Sequence, residues 1–136
     1  MDRFVQKRFA PIPEETEFLG KKALDAAYSV HSSLGPGLLE SVYEACLAHK
    51  LRQQKVIVDA QVAMPIMFEG LQVETGLRLD LLAGNLVIVE LKSVDNVTPL
   101  HEAQLLTYLK VTGLRLGYLI NFNVVHLRDG IKRMVN

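Results

Sequence analysis

Cysteine is almost absent from this chain. Cys46 is the only one, so no internal disulfide framework and no zinc site built on cysteine pairs can form within it. Long hydrophobic runs are missing too, and the apolar stretches present are too short and too interrupted to span a bilayer. The opening segment, Met1-Asp2-Arg3-Phe4-Val5-Gln6-Lys7-Arg8, lacks the apolar stretch of a secretory signal. These features point to a cytoplasmic protein. Net charge is also lacking, because 15 basic and 15 acidic residues cancel. Phosphate contacts supply most of the affinity for nucleic acid, so a nucleic-acid enzyme of this composition needs its cations gathered on one side. Candidates are Lys21, Lys22, Lys50, Arg52, Lys55, Arg128, Lys132 and Arg133. Taken singly, each reads as a solvated, salt-screened surface group.

What is present suits one folded unit. The apolar fraction of 49% over 136 residues is ample for a single core. Residues 1–13 contain Pro11 and Pro13 and no clear period, which predicts an N-terminal arm ahead of a single domain over 14–136. Acidic residues at Glu14-Glu15 open a helix running to about Ser33, with an apolar stripe from Phe18, Leu19, Ala23, Ala26, Ala27 and Val30. Gly35-Pro36-Gly37 breaks it. A second helix, from about Leu38 to Gln54, carries Leu39, Val42, Tyr43, Cys46 and Leu47 as an expected buried face. Glu40 falls at the margin of that face, where a helix delivers a carboxylate into a cleft or simply shows it to water.

Strands dominate from about Val56 to Lys92. Glu69-Gly70 reads as a hairpin tip, and Pro65 implies an edge strand or a bulge. Thr98-Pro99 starts a third helix and Gly113 ends it. His101, Gln104 and Tyr108 share one face of this helix. A strand over Leu114–Phe122 follows, then a short one over Ile131–Val135 after Asp129-Gly130. The order predicts an α/β fold in which helices flank a mixed sheet.

The densest chemistry lies in two strands. Leu77-Arg78-Leu79-Asp80-Leu81-Leu82 carries a carboxylate in an apolar setting, and Leu86-Val87-Ile88-Val89 continues directly into Glu90-Leu91-Lys92. Alternation puts Glu90 and Lys92 on one face. Buried charges need a partner or a metal, and two carboxylates with a lysine suit a hard divalent cation and an activated water. A three-residue loop, Ala83-Gly84-Asn85, pairs Leu82 with Leu86 and Asp80 with Ile88. That register brings Asp80 to the same face, with Glu90 diagonal to it. A two-residue loop places them on opposite faces. The bland alternative is an ion pair at the rim of a core.

Asp80 followed by Glu90-Leu91-Lys92 resembles the PD-(D/E)XK nuclease superfamily. Gly37-Leu38-Leu39-Glu40-Ser41-Val42-Tyr43 is similar to the motif that names its GxxExxY branch. His101-Glu102-Ala103-Gln104-Leu105-Leu106-Thr107-Tyr108-Leu109-Lys110 resembles a third block, and Gly117-Tyr118-Leu119-Ile120-Asn121-Phe122 a fourth. The resemblance implies a restriction-endonuclease-like fold and Mg²⁺- or Mn²⁺-dependent phosphodiester hydrolysis, with DNA favoured over RNA. It implies Asp80, Glu90, the Leu91 carbonyl and Glu40 as metal ligands, and Lys92 beside the attacking water. Gln104 would fix the geometry around Lys92 or the phosphate with Tyr108 in support, and Tyr43 would sit behind the site or in the core. A nuclease-fold binding or assembly module with weak or no catalysis is the alternative. A chain this short leaves little surface for wrapping a duplex, which points to a homodimer or a partner subunit.

Overall fold

The computed structural model describes residues 10–136. The predicted arm at 1–13 lies largely outside them. In chain order the elements are α1 (Glu14–Leu34), α2 (Glu40–Gln53), β1 (Val58–Phe68), β2 (Leu71–Ala83), β3 (Val87–Lys92), α3 (Pro99–Thr112), β4 (Leu116–Asn121), a short 3₁₀ turn (Leu127–Gly130) and β5 (Ile131–Val135). The strands form one five-stranded sheet in sequence order. Only β3 and β4 run parallel, joined by the crossover through α3, and every other neighbouring pair is antiparallel. This is the mixed sheet flanked by helices that the element order predicts.

Two apolar clusters sandwich the sheet. On one side Ala23, Ala26 and Ala27 of α1 and Tyr43, Leu47, Ala48 and Leu51 of α2 pack on Val87, Val89 and Leu91. On the other side Leu105 and Leu109 of α3 pack on Ile88 and Leu119. Alternation along β3 thus feeds both layers. The buried stripes differ from expectation in detail. In α1, Phe18 is exposed beneath the Lys22 ammonium. In α2, Leu39 and Val42 face solvent, Cys46 is half-buried, and the stripe runs through Tyr43, Leu47 and Leu51 instead. That i, i+4, i+8 line is enough for a helix that covers only one flank of a sheet.

Local chemistry explains the element ends. Thr98 caps α3: its Oγ1 accepts from the His101 N–H, and His101 Nδ1 accepts from the Thr98 N–H. Gly113, in the left-handed conformation, ends that helix. The β1–β2 turn uses Glu69 and Gly70, both at positive φ. At Pro65 the pairing passes from Met64↔Leu77 to Ile66↔Val73, so three residues of β2 stand against one proline, and the expected bulge is there.

The β2–β3 register departs from expectation by two residues. Leu82 pairs with Ile88 and Ala83 with Val87, so Leu82 does not meet Leu86 and Asp80 does not meet Ile88. The loop is Gly84-Asn85-Leu86. Gly84 and Asn85 both hold positive φ, the Gly84 N–H donates to the Ile57 carbonyl at 2.7 Å, and Leu19 closes over the glycine. The odd loop length, on which side-chain parity depends, is the expected one.

The β1–β2 ribbon also rolls over at its middle. Leu81 and Ala83 pack on the α1/α2 side, whereas Leu77 and Leu79, of the same parity, pack on the α3 side. Val58 and Val62 in β1 divide in the same way. Between them Gln61 holds φ +53. The register carries from Ala60↔Leu81 to Val62↔Leu79 without a shift, so Gln61 stands across from Asp80 at the point of inversion.

Candidate active site at a split in the sheet

Pairing between β2 and β3 stops at Leu81↔Val89. One step further, side chains replace the ladder. The Asp80 N–H donates to Glu90 Oε1 at 3.1 Å, and the Leu91 N–H donates to Asp80 Oδ2 at 2.9 Å. Each strand offers a backbone donor to the other strand's carboxylate. The two acids therefore meet within the split, held by groups a regular ladder would have used. Glu90 is only 4% exposed, while Asp80 is half-buried.

The electrostatics follow from that crowding. The Glu90 carboxyl is pushed up to about 9, first by burial and next by the Asp80 charge. The Asp80 N–H and the Lys92 ammonium pull the other way without offsetting those effects. The Tyr108 phenol is also raised, by burial and then by the Glu90 and Asp80 charges, while the neighbouring Gln104 side chain opposes the shift. The Lys92 ammonium thus acts on Glu90 and both acids act on Tyr108, with Gln104 beside that phenol. Alternation along β3 puts Glu90 and Lys92 on the side of Ile88, which α3 covers. Gln104 is exposed and Tyr108 half-buried. His101 belongs to the helix cap.

Glu40 reaches the same neighbourhood from the other layer. It is the first residue of α2, and with Ser41, Glu44, Gln61, Asp80 and Leu91 it lines a cleft of about 210 Å³. A fixed entry loop puts it there. The Leu38 N–H donates to the Tyr43 hydroxyl at 3.1 Å, and the Leu38 carbonyl accepts from Ser93 Oγ at 2.6 Å. The Tyr43 hydroxyl in turn donates to the Gly35 carbonyl at 2.6 Å, and its ring stacks on Phe122 at 4.5 Å between centroids. Tyr43 is fully buried. It is a core residue that fixes the loop carrying Glu40.

Ser93 and Gln61 escape a reading of the sequence, and Asn121 shows there only as a member of the fourth block. Ser93 ties the exit of β3 to the entry of α2. Asn121, 3% exposed, accepts from the Val94 and Asn123 N–H groups and donates to the Val94 carbonyl, which holds the segment just after Lys92. Its signal is a lone amide in an apolar strand. Gln61 gives no sequence signal, since its importance lies in its backbone angle.

The donor set fits a hard divalent ion. Asp80 and Glu90 supply carboxylate oxygens at one point, and the pair is costly to ionise together without a cation. Among the described residues, no group of three or more His, Cys, Asp or Glu side chains is arranged to hold an ion unaided. Mg²⁺ does not require one, because it is commonly held by one or two carboxylates and keeps several waters.

The basic candidates do not form one free patch. Lys21 pairs with Asp25 at 3.8 Å, Arg128 with Asp129 at 4.0 Å, Lys132 with Glu102 at 2.8 Å and Arg133 with Glu17 at 2.6 Å. Arg52 donates to the Val58 carbonyl at 2.8 Å. Arg78, two residues ahead of Asp80, is exposed. No described helix is long and apolar enough to cross a membrane.

Comparison with curated proteins gave no match, and comparison with solved structures gave none. A family model described as the PD-(D/E)XK nuclease superfamily matches residues 17–134, a span that holds the acidic pair, Lys92, the Glu40 helix and the Gln104 helix together. With nearly the whole described fold inside that match, the chain belongs to the PD-(D/E)XK nuclease superfamily.

Proposed function

We propose that this chain is a metal-dependent nuclease of the GxxExxY type, cleaving phosphodiester bonds in DNA in preference to RNA. The observation that carries this reading is the reciprocal bonding of Asp80 and Glu90 at the split between β2 and β3. It concentrates two carboxylates next to a lysine, at the edge of a cleft that admits a third carboxylate from Glu40. Asp80, Glu90 and the Leu91 carbonyl would hold Mg²⁺ or Mn²⁺, with Glu40 adding a carboxylate directly or through water. Such an ion neutralises charge on a phosphate and lowers the pKa of a bound water. The chain's own residues do the rest. Lys92 presents a positive charge beside the pair and orients the attacking water or stabilises charge on the phosphate. Asn121, by clamping Val94, fixes the strand end from which Lys92 projects. Gln104 and Tyr108 line the α3 side and hold the phosphate or the Lys92 amine in register.

One observation favours a second reading, a binding or assembly module. Four of the candidate cations are already paired with carboxylates of the chain. These pairs are largely exposed, and exposed pairs are weak enough to yield to phosphate, so the nuclease reading keeps precedence.

A thermal scan with and without Mn²⁺, on wild type and Asp80→Asn, tests the metal site. Binding to the folded state alone raises the melting temperature, so the wild type should respond and the variant should respond far less. An equal response in both contradicts a site at Asp80. Parallel digests of DNA and RNA decide the substrate.

A further inference from the structure

We propose that Gln61 and Glu44 are positioning residues of the metal site, with Gln61 acting through Glu44 to set where Glu40 stands relative to Asp80. The proposal rests on the metal-dependent reading above and adds two residues to it. Gln61 lies inside a strand, yet its φ is +53. A residue with a side chain seldom adopts that conformation, and it persists only where surroundings over-determine it. Here it sits opposite Asp80, at the level where both strands of the ribbon exchange faces. The inversion turns the Gln61 side chain toward α2, where its Nε2 donates to Glu44 Oε1 at 2.5 Å. Glu44 is one helical turn beyond Glu40, so the two carboxylates share a face of α2. Both line the 210 Å³ cleft with Asp80 and Leu91.

The consequence is a division of labour between two neighbouring acids. Glu44 is held by the amide, and Glu40 is left as the carboxylate that α2 offers to an ion at Asp80. The same bond ties α2 to β1 at the level of Asp80. Without it, Glu44 is free to compete with Glu40, and the helix loses its tie beside the split.

The test uses residue types that separate positioning from folding. Asparagine tolerates positive φ better than glutamine and glycine tolerates it best, but neither reaches Glu44. Mn²⁺ binding is measured by titration calorimetry on the full chain for wild type, Gln61→Asn, Gln61→Gly, Glu44→Ala and Asp80→Asn, with the metal-free melting temperature of each. Loss of an outer partner of a metal ligand commonly weakens binding on the order of tenfold to a hundredfold. The expected result is such a loss in Gln61→Asn and Gln61→Gly with a melting temperature at or above wild type, and a parallel loss in Glu44→Ala, which removes the acceptor of the Gln61 amide. Wild-type Mn²⁺ affinity in Gln61→Asn overturns the proposal, as does a loss that merely tracks a fall in melting temperature. Absence of any difference between wild type and Asp80→Asn overturns the metal reading as well, which distinguishes the two failures.

Discussion

At the scale of single residues, Glu90 carries the most physical information. Its carboxyl lies near 9 in the folded protein against an ordinary 4.5. An acid whose pKa rises on folding favours the folded state below its unfolded pKa, and that contribution fades as pH climbs toward the folded value. The metal-free protein should therefore lose thermal stability progressively between about pH 4.5 and 9. Glu90→Gln should flatten that profile, which scans across this pH range will show. That Asp80 and Glu90 meet was legible in the sequence, because an odd-length loop between two apolar strands brings both carboxylates to one place. Gln61 was not legible. Nothing in a residue's identity announces a positive φ within a strand. The partners of Ser93 and Asn121 were hidden for a related reason: their hydrogen bonds join segments distant in the chain.

At the scale of elements, helices α1 and α3 followed from period and caps, and the Glu69-Gly70 turn from its residue types. The face of α2 did not. Leu39 and Val42 fit a helical stripe, but the helix begins at Glu40 and meets only the flank of the sheet. The β2–β3 register missed by two residues because two loops of equal length fit the same pattern, and the contacts that hold the observed one, from Ile57 and Leu19 to Gly84, come from distant segments. The entry to α2 supports a further prediction. Tyr43→Phe keeps the stack on Phe122 but leaves the Leu38 N–H and the Gly35 carbonyl without the hydroxyl. Leaving such groups unsatisfied costs roughly 1–3 kcal/mol, to be read from denaturant unfolding. Cleavage should fall with it, since Glu40 is carried by that loop. In α3, Thr98→Ala should cost about 1 kcal/mol through the lost cap, with little effect on metal response, because the Thr98 and His101 side chains bond each other's backbone at the helix start.

At the scale of the whole molecule, the split sheet explains how a chain of zero net charge assembles a concentrated acidic site. The strands must part at Asp80 for the carboxylates to meet, and the ribbon must roll over there for both cores to form. Fold and site are thus one geometric event. The most direct test of that claim is cleavage of DNA by purified protein with Mn²⁺, compared among wild type, Glu90→Ala and Lys92→Ala after each variant is verified as folded. On the proposed reading, losing Glu90 removes a carboxylate that would hold the metal, and losing Lys92 removes preorganised charge, an effect typically worth a hundred- to a thousandfold in rate, or about 3–4 kcal/mol. The account predicts cleavage by the wild type, none detectable with Glu90→Ala, and a loss of at least that order with Lys92→Ala. Equal cleavage by wild type and Glu90→Ala, or no cleavage of any DNA or RNA form by the wild type, would contradict it.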